Sequence, residues 1–264
     1  MNPMYRQIAE DLREQIESGR IAPGDQIPTE IVLRERYRAS RNTVRDAVKW
    51  LSNPGLVETR PGQGIFIPTK IDPFRTTLTA DTKRAAGQEV LAGEGIGYQT
   101  EVEVQNRAPR NTTPRVELQR ANAAVAAQLL ITEGDQVISR HQRRYIDDTP
   151  WSLQTSWYPR TLADNGAVQL TYADDIEEGA VKYLIETLGL TQVGYRDLIT
   201  VRAPDTREAS FVNLPSDGRV AVFEISRVAF DQEGKPMRLT VTVFPADRNQ
   251  FIVNVGDVPQ AGGG

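Results

Sequence analysis

One stretch constrains the fold of this chain more than any other, residues 40–70, which read SRNTVRDAVKWLSNPGLVETRPGQGIFIPTK. Apolar residues recur between Val44 and Leu51 at the i, i+3, i+4 and i+7 positions of one helix face. Ser40 is placed to cap the start of this helix. The helix should end at Asn53-Pro54-Gly55, because proline cannot continue it and glycine accepts the left-handed conformation found at helix ends.

Two short runs of β-forming residues follow this helix, at 56–59 and 65–67. The connection between them, residues 60–64, contains a Pro-Gly pair and a second glycine. This pattern predicts a β-hairpin with a basic, flexible tip. A major groove is about 12 Å wide and admits one helix, so a polar helix followed by such a hairpin can be laid on DNA.

Two further helices are predicted before residue 40. Tyr5, Ile8, Leu12 and Ile16 mark an amphipathic helix that ends at Ser18-Gly19. Thr29 and Glu30 open a second helix after a turn-rich connection at 21–28. Three short helices followed by a hairpin predict a winged helix-turn-helix domain.

The charge distribution agrees with this prediction although the whole chain has a net charge of −4. Residues 1–70 hold 11 Lys and Arg against 9 Asp and Glu, so the negative charge belongs to the rest of the chain. Within 34–49 there are six basic and two acidic residues. Such a concentration is expected where phosphates are bound, while a solvated helix face is the other interpretation.

The composition argues against several other classes of protein. The chain has no cysteine and a single histidine, His141, so we expect no metal, no cofactor and no catalytic triad. No run of 18 apolar residues and no signal peptide is present, which predicts a cytoplasmic protein without a membrane partner. The acidic cluster at 174–178 precedes an apolar helical pattern and is interpreted as complementing a helix N-terminus rather than binding a metal.

The blocks at 23–30, 40–48, 55–57 and 62–67 together resemble the N-terminal domain of GntR-family transcription regulators. The resemblance covers nearly all of residues 4–68. It implies that the third helix enters the major groove and that the hairpin tip approaches the adjacent minor groove. The residues expected to contact double-stranded operator DNA are Arg34, Arg36, Ser40, Arg41, Asn42, Thr43, Arg45, Arg60, Gly62, Gln63 and Gly64.

One position departs from the family pattern. Many members carry an arginine just after the glutamate that opens the second helix, whereas this chain has Ile31. The contact made by that arginine should be absent, so the operator need not be the family's commonest one. Arg34 and Arg36 are the nearby residues that could compensate.

The sequence divides into four segments. Residues 1–70 form the predicted DNA-binding domain, 71–88 a linker with at most one strand, 89–255 a second domain and 256–264 a disordered tail. The glycine-rich run at 93–97 is interpreted as a turn rather than a phosphate-binding loop, because no apolar strand precedes it. The residues that follow it have the pattern of a strand.

The second domain contains an internal repeat. A helix at 121–130 leads to a strand ending at Ile146 and then to a strand closing at Pro159. A helix at 206–212 leads in the same way to two strands, of which the last closes at Pro245. The repeat predicts an antiparallel sheet with approximate twofold symmetry, covered by helices such as the one at 176–188.

This order resembles the UTRA effector domain of the HutC subfamily over residues 90–255, which implies an α+β fold similar to chorismate lyase. By that resemblance Arg144 matches an arginine that holds the effector. Gln142 stands where a second arginine is common, and Gln154 and Arg238 stand where glutamates are frequent. Carboxylates only accept hydrogen bonds, so their replacement favours a neutral or anionic small-molecule effector.

The leading hypothesis is a repressor, not an enzyme, that binds a pseudo-palindromic operator as a homodimer and responds to an effector. Two alternatives remain. One is an enzyme with a lyase-like second domain, although no convergent acid–base pair is found. The other is a DNA-binding structural or plasmid-maintenance protein whose second domain only dimerises.

Overall fold

The computed structural model describes residues 3–60, 62–68, 72–79, 96–214 and 220–255. These residues form two compact units, Met1–Asp72 and Pro73–Gly264. The predicted tail at 256–264 lies outside the described residues, as do most of the predicted linker and the first three residues of the glycine-rich run. Among the described residues, no helix is long and apolar enough to cross a membrane.

The first unit has three helices and one hairpin. Its elements are α1 Met4–Glu17, α2 Glu30–Tyr37, α3 Arg41–Ser52, β1 Glu58–Arg60 and β2 Gly64–Phe66. The apolar positions predicted from helical spacing form its core, where Ile8, Leu12, Leu33, Val44 and Leu51 are fully buried. The fold is therefore the predicted winged helix-turn-helix.

Side-chain caps define the starts of α2 and α3. Thr29 Oγ1 accepts the backbone N–H of Val32, and Ser40 Oγ accepts the backbone N–H of Thr43 at 3.2 Å. The first hairpin strand begins at Glu58, two residues later than predicted. The reason is that the N–H of Leu56 is used to close the end of α3, where it donates to the carbonyl of Leu51.

The second unit consists of a large antiparallel sheet with flanking helices. Its strands are β3 Phe74–Thr77, β4 Pro109–Asn111, β5 Arg115–Arg120, β6 Gln136–Ile146, β7 Thr149–Pro159, β8 Gln192–Arg202, β9 Val222–Asp231, β10 Pro236–Pro245 and β11 Asn249–Ile252. Its helices are α4 Ile96–Val104, α5 Ala123–Leu129, α6 Arg160–Asp164, α7 Ala180–Leu188 and α8 Thr206–Phe211, with a 3₁₀ turn at Val168–Thr171.

The large sheet has the strand order β4-β6-β7-β10-β9-β8, and β5 also pairs with β6. The hairpins β6–β7 and β9–β10 meet at the centre, where Ser156 lies opposite Thr240. Each hairpin is preceded by a short helix, α5 or α8, as the internal repeat predicts. The result is an antiparallel sheet with approximate twofold symmetry about its centre.

Side-chain alternation separates the two faces of this sheet. On one face Ile138 and Tyr158 pack with residues of α6 and α7, including Leu184. On the other face Val137 and Val228 pack with residues of α5. The first of these faces also carries Arg140, Gln142 and Arg144 of β6, so it holds the predicted effector residues.

Two segments differ from the sequence-based expectation. Strand β3 lies inside the predicted linker, pairs in parallel with β11 and buries Phe74 against the rings of Tyr98 and Trp151, so it belongs to the second unit. The predicted strand after residue 97 was wrong, because these residues form α4. Tyr98 and Val102 are both buried, and their i, i+4 spacing is helical.

Candidate DNA-reading surface and effector site

The polar face of α3 is opposite the core of the first unit. Arg41, Asn42, Arg45 and Lys49 are exposed, whereas Val44 and its neighbours at helical spacing are buried. The helix therefore presents long donors outward without exposing apolar residues. Arginine can donate two parallel hydrogen bonds to guanine in the major groove.

The arginines on this surface differ in their ion-pair partners. Arg41 pairs with Glu30 at 2.8 Å, and Arg36 pairs with Asp11 at 3.5 Å. Arg34 and Arg45 form no ion pair with any residue that the structure describes. Exposed ion pairs contribute only ~0–1 kcal/mol, so a phosphate or a base can replace Glu30 as the partner of Arg41.

The N-terminus of α3 carries small hydroxyl side chains. Ser40 Oγ and Thr43 Oγ1 lie 2.8 Å apart, and Ser40 is exposed. Backbone N–H groups at a helix N-terminus carry partial positive charge and suit phosphate. The first turn of α3 therefore combines a phosphate-compatible end with exposed Arg41 and Asn42.

The hairpin tip forms a wing. Arg60 pairs with Glu58 at 2.6 Å and its guanidinium lies 4.3 Å from the ring centroid of Phe66. Gly62 has a φ of 73° and is exposed, which is a conformation that glycine adopts without strain. The backbone at Gly62 is consequently accessible without a side chain.

Gln26 fixes this wing, and sequence reasoning missed it. Its Nε2 donates to the carbonyl of Gln63 at 3.1 Å, and its backbone bridges to Phe66. A Cβ placed on Gly64 would lie 2.1 Å from Gln26 Nε2. Gly64 is therefore required for the close approach of Gln26, and the only sequence signal for the contact was this glycine.

The position that departs from the family pattern is accessible. Ile31 is 65% exposed and follows Glu30, the ion-pair partner of Arg41. An exposed apolar side chain thus follows the residue that pairs with Arg41 at the start of α3. Apolar side chains in a major groove contact the methyl group of thymine.

In the second unit, two of the predicted effector residues lie side by side. Gln142 on β6 is directly opposite Gln154 on β7, which is opposite Thr242 on β10. Gln142 Nε2 donates to the carbonyl of Thr112 and to Asp175 Oδ1 at 3.2 and 3.3 Å. Thr242 Oγ1 donates to Gln154 Oε1 at 3.5 Å.

Arg144 lies two residues from Gln142 on the same face of β6. It is 1% exposed, and its guanidinium carbon is 4.5 Å from the ring centroid of Tyr98. In the sheet it is opposite Asn111 on one side and Ser152 on the other. A buried cation thus stands among short polar side chains and an aromatic ring.

Arg238 is not brought together with Arg144. It lies four residues along β10 from Thr242, or about 13 Å at the usual rise per residue. It is buried, and its Nη2 donates to Gln192 Oε1 at 3.2 Å. The structure therefore groups Arg144, Gln142 and Gln154 and leaves Arg238 towards the other end of the sheet.

Arg140 was missed by sequence reasoning. Its guanidinium donates to the backbone carbonyls of Gln169, Leu170, Tyr172 and Asp174 at 2.6–3.2 Å. Burial lowers the pKa of this guanidinium, and nearby acidic groups oppose that change. The signal that could have identified Arg140 is the alternation of polar residues at 140, 142 and 144.

The acidic cluster at 174–178 takes part in these contacts. Asp174 offers its carbonyl to Arg140, and Asp175 accepts from Gln142. Among the described residues no group of three or more His, Asp or Glu could hold a metal ion. His141 points to the opposite face of β6, where its Nδ1 lies 2.8 Å from Thr155 Oγ1.

A further arginine on the same sheet face, Arg227, is held by an ion pair. Arg227 on β9 forms two hydrogen bonds to Asp197 on β8, at 2.7 and 2.6 Å, and its guanidinium lies 3.7 Å from the Tyr195 ring centroid. Arg227 lies in one cross-strand row with Thr240, Ser156 and Arg140. A polar row therefore crosses this face from β6 to β8, where it ends at Asp197.

Comparison with known proteins decides the family. Residues 4–67 match the model described as bacterial regulatory proteins, gntR family, and residues 104–250 match the UTRA domain. The chain belongs to the GntR family. Its combination of domains is that of HutC-like members, which are transcriptional regulators and not enzymes.

Relatives support this assignment. The chain is 31% identical over 163 residues to the mannosyl-D-glycerate transport/metabolism system repressor MngR of Escherichia coli, an alignment that covers 61% of this chain and 60% of that protein. It is 25% identical to the HTH-type transcriptional regulator GgaR of the same species over 95% of this chain and 90% of the relative. A probable fructoselysine utilization operon transcriptional repressor of that species is 26% identical over 93% of the chain and 91% of the relative.

Solved structures have the same fold. A GntR-family transcriptional regulator superimposes with a TM-score of 0.62 at 22% identity, covering 97% of this chain and 99% of that one. PhnF from Mycobacterium smegmatis superimposes with a TM-score of 0.55 at 20% identity, covering 94% and 99%. The predicted α+β architecture of a winged helix-turn-helix and an antiparallel effector domain is thereby confirmed.

Proposed function

We propose that this GntR-family regulator is a cytoplasmic repressor that binds a pseudo-palindromic operator as a homodimer and is released by a small-molecule effector. The observation that carries the proposal is the exposed polar face of α3, with Arg41 and Arg45, followed by the paired strands β1 and β2. Relatives that are named repressors support the direction of regulation.

The reading of DNA rests on α3 and the wing. We assign base contacts to Arg45 and Arg41, backbone contacts to Ser40, Asn42 and Thr43, and a minor-groove approach to the tip at 60–64. Arg34 and Arg36 on α2 supply further positive charge. Ile31 in place of an arginine should give a half-site in which a thymine methyl is read.

Selection of bound DNA from a random pool tests this reading. The full-length chain should enrich an inverted repeat, and Ile31→Arg should enrich a different half-site. Arg45→Ala should then lower the affinity for the selected operator by about 1–3 kcal/mol, without lowering the melting temperature. Lys182→Ala, an exposed change in the second unit, is the matched control. If the Arg45→Ala protein binds the operator with unchanged affinity in a gel-shift titration, the assignment of α3 as the reading helix is wrong.

The homodimer is supported by one edge of the large sheet. Strand β8 is a terminal strand of that sheet, and four of its apolar side chains are 43–60% exposed. These are Val193, Leu198, Ile199 and Val201. An edge strand with exposed apolar residues is a template for pairing with another chain, and a second copy related by a twofold axis would pair antiparallel with it.

Introducing a charged residue on β8 tests whether this edge forms the dimer interface. Leu198→Arg should convert the protein to monomers in sedimentation velocity experiments, because it places two arginines in the symmetric interface. Leu118→Arg is the matched control, since Leu118 is 50% exposed on β5 at the opposite side of the sheet. A Leu198→Arg protein that remains dimeric, or a Leu118→Arg protein that dissociates, would assign the interface elsewhere.

The effector site is assigned to the polar face around Arg144, Gln142 and Gln154, and to Arg238 at greater distance. A neutral or anionic small molecule fits this set because the site offers amides and a guanidinium. A thermal-shift screen with the full-length chain tests it, since a real ligand raises the melting temperature by an amount that follows RT ln(1 + [L]/Kd). No shift with any compound would leave dimerisation as the role of the second unit.

A further inference from the structure

The connection between α1 and α2 pairs with the wing. The N–H of Ile27 donates to the carbonyl of Ile65 at 2.9 Å, and the N–H of Ile67 donates to the carbonyl of Asp25 at 2.8 Å. Strand β2 therefore has β1 on one side and residues 25–27 on the other. The chain that leads into α2 and the wing consequently belong to one small sheet.

The side chain of Gln26 continues this pairing to the tip of the wing. Its Nε2 donates to the carbonyl of Gln63, and the N–H of Gln63 donates to the carbonyl of Arg60 at 3.0 Å. Both backbone polar groups of Gln63 are therefore occupied, whereas the residue itself is exposed. The backbone of Gln63 is thus fixed from two sides while its side chain can reach a partner.

Two glycines make this tip costly to order. Gly62 and Gly64 have φ values of 73° and 130°, and glycine loses more conformational freedom than any other residue when its backbone is fixed. The hydrogen bond from Gln26 orders the tip before DNA arrives, and a binding loop that is already ordered loses less entropy on association. Gly64 is itself needed for this contact, since a Cβ there would overlap Gln26 Nε2. Gln26 therefore offsets a flexibility that its own close approach requires.

The arginine of the wing is held behind the tip. Arg60 pairs with Glu58 and lies over the ring of Phe66. Glu58 and Phe66 are cross-strand partners at the end of the hairpin that is farther from the tip. The guanidinium is thus directed back along the hairpin. Of the tip residues that the structure describes, 62–64, Gln63 carries the one side chain, a neutral amide.

The chemistry of an amide suits the minor groove. This groove is about 6 Å wide, so a slim tip flanked by glycines can enter it. It presents acceptors at A·T and T·A pairs alike, and G·C pairs add a donor. A glutamine amide offers two donors and an acceptor. It can therefore distinguish A·T from G·C, but it cannot distinguish A·T from T·A.

We propose that Gln26 is a positioning residue for operator recognition, which holds Gln63 so that the Gln63 amide reads a base pair in the minor groove next to the site of α3. This inference rests on the proposed DNA-binding function of the first unit. It assigns part of the operator specificity to the connection between α1 and α2, through a residue that acts by way of Gln63.

Selection from a random DNA pool tests the assignment. The full-length chain is compared with Gln63→Ala and with Gln26→Met, because methionine is also unbranched but has no donor. Base pairs whose preference disappears in Gln63→Ala define the wing position, where A·T should be separated from G·C but A not from T. Gln26→Met should lose the preference at the same base pairs and keep the preference that depends on Arg45.

The affinity for the selected operator gives a second readout. Gln63→Ala and Gln26→Met should each weaken binding about fivefold in a titration. Gln26→Met added to Gln63→Ala should weaken it by less than about twofold more, because Gln26 acts through an amide that is already absent. A purely structural role of Gln26 would instead lower operator affinity and melting temperature equally in both backgrounds. Gln7→Met, which changes an exposed glutamine of α1, is the matched control and should keep every base preference.

The outcomes separate this inference from the proposed function. If the original protein enriches no operator, the DNA-binding function fails and this inference fails with it. If an operator is enriched but no base preference changes in Gln63→Ala or in Gln26→Met, only the role of the wing residues is wrong. Additive losses of affinity in the double variant, or a wing position that separates A from T, would overturn it as well.

Discussion

The two regions that we assign to DNA and to the effector differ in how they are built. The proposed DNA-reading surface comes from consecutive elements, α2, α3 and the wing, and the arginines of its two helices are exposed. The proposed effector face is assembled from β6, β7 and β10, where Arg144 and Gln154 are buried and Gln142 is half-buried. A large, rigid ligand such as DNA is contacted by side chains that point into solvent. A small ligand has to be enclosed by polar groups that lose their hydration.

The difference also concerns hydrogen bonding. On the DNA surface the unpaired donors are solvated, so they cost little before DNA arrives. Beside Arg144, on the proposed effector face, the hydroxyls of Tyr98 and Ser152 are buried without a partner among the described residues. This region is therefore expected to gain stability from its ligand, and the DNA surface is expected to gain affinity mainly from charge.

The largest effect is expected from truncating a core side chain, which tests whether the two units unfold independently. Leu33 is fully buried in the core of the first unit, and Leu33→Ala should destabilise that unit by about 2–5 kcal/mol. Operator binding should be lost at temperatures at which the second unit is still folded. In calorimetry the melting transition of the second unit should stay at its original temperature. Leu184→Ala, equally buried in the second unit, should give the reverse pattern. Equal shifts of both transitions in either variant would mean that the units unfold together.

The buried carboxyl of Glu101 should give the second unit a pH-dependent stability. Burial raises the pKa of Glu101 from 4.5 to about 7, although hydrogen bonds from Thr77 and the charge of Arg227 lower it. The folded state therefore keeps a proton that the unfolded state has lost. The contribution is present below pH 4.5, falls as the pH rises towards 7, and amounts to about 3 kcal/mol.

Glu101→Gln tests this dependence, because the amide does not titrate. Urea unfolding of the second unit between pH 5 and 8 should show a smaller decrease of stability with pH in the variant than in the original protein. Glu103→Gln, on the same helix at an exposed position, is the control and should keep the decrease. A slope that is the same in all three proteins would contradict the raised pKa of Glu101.

The smallest expected effect compares two helix caps. Ser40 caps α3 and Asn122 caps α5 through the same kind of side-chain hydrogen bond, at 3.2 and 2.9 Å. Ser40→Ala and Asn122→Ala should each cost about 1 kcal/mol of stability. Only Ser40→Ala should also weaken operator binding in a titration at fixed salt, because α3 is the proposed reading helix and α5 lies in the second unit. Equal losses of operator affinity in the two variants would contradict the assignment of DNA recognition to α3 and not to α5.

Local patterns predicted much of the fold. The helices of the first unit, the caps at Thr29 and Ser40, and the hairpin repeat in the second unit follow from spacing and from turn residues. The errors have local causes as well. Residues after 97 were predicted as a strand because a short apolar run does not distinguish strand from helix, and Leu56 was placed in a strand although it closes α3.

The sequence by itself determined the winged helix-turn-helix and its exposed arginines, because a helix face and a hairpin are set by residues close together in the chain. It also indicated the symmetric sheet through the repeat. Only the tertiary structure brought Arg144 beside Tyr98, Asn111 and Ser152, placed Arg238 apart, and joined β3 to β11. Those contacts link residues distant in the chain, and strand register and helix packing decide them, which no local pattern encodes.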